Sequence, residues 1–168
     1  MSRSKEVFIA HYREKYGMAR PPIWAASEIM SFGLLSRFVA DLAVDRLKKA
    51  IAKTYGLSGS GLESFAQHAV YLRNLCAHHS RLWNREFTVT VSLPKKQPTE
   101  VVASLHPQQD RRIYNSLVLL GYVFSVVEPE NDWSKRLMQH MKTLPSEFLP
   151  AMGFPSDWAE MPAWKSQI

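Results

Sequence analysis

The stretch from Gln109 to Val127 constrains the fold more than any other. Ile113, Tyr114, Leu117, Val118, Leu119, Leu120, Tyr122, Val123, Phe124, Val126 and Val127 leave almost no polar side around a helix. Such a helix needs cover on every flank, so it belongs at the centre of a bundle or in a subunit interface. No run of about 18 apolar residues occurs in the chain, so no membrane-spanning segment is expected. The rest must supply the cover, and most of it reads as amphipathic helix.

Residues 4–16 place Phe8, Ile9, Tyr12 and Tyr16 at helical spacing. Gly17 and the pair Pro21-Pro22 stop that helix. Pro22 suits the first turn of a second helix, Ile23 to Phe32, with Trp24 and Ile29 or Met30 as core contacts. Gly33 interrupts, and Leu34 to Tyr55 resumes as one helix or two. There Leu35, Phe38, Val39, Leu42, Leu47, Ile51 and Tyr55 form an apolar stripe, and Arg46, Lys48, Lys49 and Lys53 a wet face. Gly56 to Gly61 reads as a glycine- and serine-rich connector. Leu62 to about His79 is a helix with Leu62, Phe65, Ala69, Leu72 and Cys76 on its buried side.

From Glu86 to Leu93 apolar residues alternate with hydroxyl residues, a strand-type pattern that Pro94 ends. With no second strong strand in the sequence, this predicts a hairpin arm or an extended loop. Asp132 to Lys142 is a further helix. The tail from Pro145 carries Trp158 and Trp164 among four prolines and reads as a cap whose aromatics dock on the bundle. The expected fold is an all-α bundle with a short β-like arm and a Pro/Trp-rich C-terminal cap. One domain over 1–168 is expected, with a helical core of about 4–143 and a docked tail of about 144–168.

Net charge is +6, and its placement is uneven. Between Tyr71 and Lys96, five basic residues face one acid, whereas acids outnumber bases beyond Glu128. A local positive excess beside histidines suits a polyanion such as RNA. The single cysteine excludes an internal disulfide and a cysteine-based zinc site. With a charged N-terminus in place of an apolar signal core, the expected location is the cytoplasm.

The chemistry concentrates between Tyr71 and Arg85: three arginines, two adjacent histidines, two asparagines and the only cysteine. Arginine presents a planar fork of donors that fits a phosphate. Histidine exchanges protons near neutral pH. An arginine beside a histidine suffices for metal-free RNA cleavage, because RNA supplies its own 2′-hydroxyl nucleophile. Arg73, Asn74, His78 and His79 are the candidate catalytic residues. Arg81, Asn84, Arg85, Lys95 and Lys96 are the candidate RNA contacts. On a regular helix His78 lies about 140° around from Arg73 and His79 falls on the opposite flank. A working site therefore needs a helix that ends or bends near Ala77, or residues from a second subunit. His79 could equally be a packed core histidine, Trp83 a packing residue and Cys76 a small buried one. Adjacent histidines without a nearby carboxylate make a poor metal site, so no metal and no cofactor is expected.

The run Arg73-Asn-Leu-Cys-Ala-His-His-Ser-Arg-Leu-Trp-Asn-Arg85 resembles the signature of the Abi-like (AbiD/AbiF) abortive-infection proteins of bacteria. His11-Tyr12 with Tyr16, Pro21-Pro-Ile-Trp24, Glu28 and Ser31-Phe-Gly-Leu-Leu-Ser36 look like the same family, as does Met152-Gly-Phe-Pro-Ser-Asp-Trp158 with Pro162 and Trp164. The chain resembles the C-terminal part of longer members. The resemblance implies a HEPN-type helical bundle, many of which are metal-independent ribonucleases that act as dimers. It assigns catalysis to Arg73 and His78, with His79 the rival histidine. It also implies RNA as substrate, a homodimer, a toxin or phage-defence role, and an antitoxin partner of protein or RNA. The alternative implied is a HEPN module that binds RNA or protein without cutting.

Overall fold

A computed structural model describes residues 6–17 and 21–165. The chain divides into two compact units, Met1–Asp41 and Leu42–Ile168. Among the described residues every regular element is a helix.

The first unit holds α1 (Val7–Tyr16), α2 (Ile23–Glu28) and α3 (Phe32–Ala40). Gly17, at φ 58°, caps α1 in the left-handed region that glycine adopts without strain. Tyr12 meets Trp24 edge-on at 5.8 Å between ring centroids. Trp24 is nevertheless 61% exposed, so it is not the core contact expected of it. α2 spans only six residues and buries Ala25 and Ala26 instead. Gly33 does not break the chain either. The break falls at Met30–Ser31, and the Ser31 hydroxyl accepts the Leu34 N–H at 3.2 Å to open α3. Gly33 therefore sits inside the first turn of α3.

The second unit begins with α4 (Asp45–Thr54) and α5 (Gly59–Ala77). The expected stripe on α4 faces outward, with Leu47 and Ile51 exposed, while Ala52 is fully buried. Lys48, expected on the wet face, instead pairs with Glu63 of α5 at 2.9 Å and is largely covered. The glycine-serine connector is shorter than its composition suggests. Ser58 caps α5 by accepting the Gly61 N–H at 3.0 Å, which draws Gly59 to Gly61 into the helix.

α6 (Thr99–Val102) and a 3₁₀ turn at Pro107–Gln109 lead into α7 (Ile113–Val127). α7 is the central helix anticipated from its composition, although it starts at Ile113 and not at Gln109. Tyr114, Asn115, Val118 and Leu119 are buried along it. Buried polar groups on α7 are paired, as a dry interior requires. Asn115 donates to the His106 carbonyl at 2.9 Å and accepts the His106 N–H at 2.8 Å. α8 (Trp133–Lys142) crosses close to α7, where a side chain on Gly121 would meet the Ser134 hydroxyl at 2.7 Å. A larger residue there would force the Ser134 hydroxyl aside and crowd the Trp133 ring at 3.3 Å.

The tail docks as expected. Three further 3₁₀ turns and α9 (Pro162–Lys165) make up the tail, in which Phe154 and Trp164 meet Tyr114 and Trp158 packs against those two. The Phe154 and Tyr114 rings lie 4.8 Å apart, and Trp158 meets Trp164 edge-on at 5.6 Å. The Tyr114 hydroxyl donates to the Ser104 carbonyl at 2.8 Å and accepts the Trp164 N–H at 3.3 Å. Burial pushes this phenol up to about 12.

The segment Glu86–Leu93 is the extended loop that its pattern allowed, and no strand forms there. Phe87 and Val91 insert into the core while Val89 stays exposed. Without a partner strand, α5 satisfies the backbone. The Ser92 N–H donates to the Ser64 hydroxyl at 2.8 Å, and the Val89 carbonyl meets His68 Nδ1 at 2.8 Å.

Candidate functional site at the end of the fifth helix

α5 ends at Ala77, four residues past Arg73. The termination has a defined backbone pattern. The His79 N–H donates to the Cys76 carbonyl at 3.0 Å, and the Ser80 N–H reaches back to the Leu75 carbonyl at 2.8 Å. Both bonds together satisfy carbonyls that the last helical turn would otherwise leave open. This closure requires a left-handed residue at the position after the cap, where glycine is the usual occupant. Here it is His79, at φ 52°. A side chain in that region costs on the order of 1 kcal/mol or more.

Because the helix stops, the side chains beyond it leave the buried stripe. Arg73, Asn74, Cys76, His78 and His79 are all exposed. Two expectations therefore fail. His79 is not a packed core histidine, since the helical phase that would have carried it inward ends two residues earlier. Cys76 is not buried either: helical phase puts it about 40° from Leu72, yet it sits one residue before the end of α5 and stays exposed.

A tight turn follows. Asn84 is the second non-glycine residue with positive φ, at 50°, so both such residues of the described chain lie in this one segment. Asn84 is held by its side chain, which accepts from the Arg112 guanidinium at 3.0 Å. Arg112 also pairs with Glu86 at 3.5 Å. Phe87 and Arg111 exchange two bonds: the Phe87 N–H donates to the Arg111 carbonyl at 2.9 Å, and Arg111 Nε to the Phe87 carbonyl at 3.1 Å. The start of α7 thus anchors the turn from behind and leaves Arg81 exposed and Arg85 half-covered. Trp83 is 42% exposed and meets Phe148 of the tail edge-on at 5.7 Å. Tyr71 accepts from the Thr88 N–H and hydroxyl, each at 3.4 Å. Slight burial works to raise its phenol, but these bonds and the nearby Arg85 outweigh that and hold it below the ordinary value.

Arg73, Asn74, His78 and His79 thus share the last turn and cap of one helix, with Arg81, Asn84 and Arg85 on the turn that follows. Lys95 and Lys96 are elsewhere. They border a pocket with Ser58, Ser60 and Gly61, at the opposite end of α5. Among the described residues no group of three His, Cys, Asp or Glu side chains is placed to hold a metal ion. No described helix is long and apolar enough to cross a membrane.

His68 drew no attention in the sequence, yet it is the most enclosed histidine near this end. It is 2% exposed, with Nδ1 2.8 Å from the Val89 carbonyl and Nε2 2.7 Å from the Ser116 hydroxyl. The neutral ring fits both partners: Nδ1–H donates to Val89, and Nε2 accepts from Ser116. Burial pushes its pKa down, and the bond to Val89 offsets only part of that. Its recurrence four residues before Leu72 on the apolar stripe is the signal that could have marked it.

The all-helical architecture of the described residues agrees with the resemblance drawn from the sequence. The Abi-like protein family matches residues 1–84, half of the chain. The chain belongs to that family, and membership points to a part in abortive infection, a form of phage defence. The match ends at Asn84, so it includes the Arg73–Asn84 run and excludes the tail. Comparison with curated proteins gives no match, and comparison with solved structures gives none.

Proposed function

We propose that this Abi-like chain is a metal-independent endoribonuclease of the HEPN type, acting as a dimer in a phage-defence or toxin system. The observation that carries the reading is the helix end: α5 stops at Ala77, and Arg73, Asn74, His78 and His79 all reach solvent from its last turn and cap. In the proposed reaction a histidine takes the proton of a ribose 2′-hydroxyl. The freed oxygen attacks the adjacent phosphorus, and the bond to the 5′-oxygen of the next nucleotide breaks. That oxygen departs with a proton from a general acid or water, leaving a 2′,3′-cyclic phosphate. Arg73 holds the phosphoryl oxygens as charge builds on them. His78 is the first choice for the base and His79 its rival. Arg81, Asn84 and Arg85 would steady the strand, with RNA or protein as the neutralising antitoxin.

The test is RNA cleavage by the full chain with chelator present, wild type beside Arg73→Ala, with end-group analysis of products. Cleavage that leaves a cyclic phosphate and is lost in the variant is the expected outcome. No cleavage by folded, dimeric wild type would overturn the reading in favour of a module that binds RNA or protein without cutting it.

A further inference from the structure

A pocket of about 620 Å³ opens between the first turns of α5 and the segment 91–97. Its size lies within the usual range for small-molecule and cofactor sites. Phe65, Val91, Leu93 and Leu119 give it an apolar floor; Val91 and Leu119 are themselves core residues. The rim is of the opposite character. Lys95 and Lys96 are exposed there, and neither pairs with an acid among the described residues. Gln97 accepts from the Thr99 hydroxyl at 3.4 Å, which leaves its amide N–H groups to donate elsewhere. Arg73 lies about 18 Å farther along α5 than Gly61, at 1.5 Å rise per residue, so this pocket is separate from the helix end.

We infer that this pocket binds a nucleoside phosphate. A flat base suits the floor, where Phe65 offers a ring and Leu93 and Leu119 exclude water. Gln97 is placed at the rim to donate to a base edge, and Lys95 and Lys96 supply the cations for the phosphate. An acyl chain would suit the floor but would leave the Gln97 amide N–H groups without a role. Inorganic phosphate would suit the lysines but not the floor. The nucleotide is either a free one or an unpaired one within an RNA strand.

Calorimetric titration of the full chain with ATP, a short single-stranded oligoribonucleotide, inorganic phosphate and laurate tests this. ATP should bind, and the exposed double substitution Lys95→Glu/Lys96→Glu should weaken it about tenfold or more. Phe65→Leu, which keeps an apolar side chain, should weaken it several-fold by removing the ring. Competition between ATP and the oligonucleotide would assign the pocket to a nucleotide of RNA; ATP binding without competition would assign it to a free nucleotide. Absence of ATP binding, binding indifferent to the double substitution, phosphate binding as tight as ATP, or laurate binding in preference would each overturn the inference. The readout is ATP binding at a pocket that Arg73, His78 and His79 do not line, so failure here leaves the ribonuclease reading standing.

Discussion

His68 on α5 and the pair His78–His79 just past its end lie within eleven residues of each other, and they have opposite surroundings. His68 points into the core with both ring nitrogens engaged. His78 and His79 lie past the last helical turn with their side chains exposed. Residue type is the same in both places; what differs is whether the ring nitrogens have been claimed. A histidine whose nitrogens are claimed by Val89 and Ser116 holds a loop to a helix. One with accessible nitrogens can exchange a proton with a substrate. For His79 the difference arises from the termination of α5 at Ala77, because continued helical phase would carry it inward; His78 lies off the buried face in either case.

The comparison can be broken by substitution. His78→Ala is expected to reduce RNA cleavage by about 10² or more while leaving unfolding stability within about 0.5 kcal/mol. If the loss instead follows His79→Ala, the two histidines exchange roles; if neither variant loses cleavage, both are excluded from catalysis. His68→Leu should do the reverse by a different route. It strands the Ser116 hydroxyl and the Val89 carbonyl in the core, and urea unfolding should show a loss of roughly 2–4 kcal/mol.

Acidification sharpens the contrast. His68 is held neutral in the fold, with its pKa below the ordinary 6.5. Its contribution is fully present above 6.5 and is lost as pH falls through the lower folded value. Unfolding midpoints measured down a pH series should therefore fall below about pH 6.5, and His68→Leu should flatten that decline. The smallest effect concerns the backbone at His79. His79→Gly should be more stable than His79→Ala by about 1 kcal/mol in the same urea assay, because only the alanine must be forced into the left-handed region. Equal stabilities would mean that the closing turn does not need that conformation in solution.

Two other regions show where pattern reading succeeds and where it stops. α7 was recognisable because a helix apolar all round has only one kind of environment open to it, and it lies in the core with Tyr114 and Val118 almost wholly covered. The tail was recognisable for a similar reason, since its tryptophans need cover and Trp164 finds it against Tyr114. α4 was misread. Its apolar stripe has the right period, but the face that packs on α5 is the one carrying Ala52 and the stem of Lys48. Periodicity shows that two faces differ; it does not say which is covered. Trp24 failed for the same reason, being large and apolar yet 61% exposed on a six-residue helix. The segment 86–93 had a strand's alternation and no strand to pair with, so side chains of α5 took over the role of a neighbouring strand.

Local chemistry in the sequence was enough to establish a helical chain, its central helix, its aromatic cap and its membership of the Abi-like family. These follow from short-range rules: period, composition and the residue types placed side by side. Tertiary structure decided which histidines are enclosed and which are accessible. That depends on where α5 stops, and the stop is set by backbone closure at His79 and by Arg111 and Arg112 of a distant segment holding the next turn in place. The contacts of Arg111 and Arg112 span 24 and 28 positions, and no local pattern encodes them.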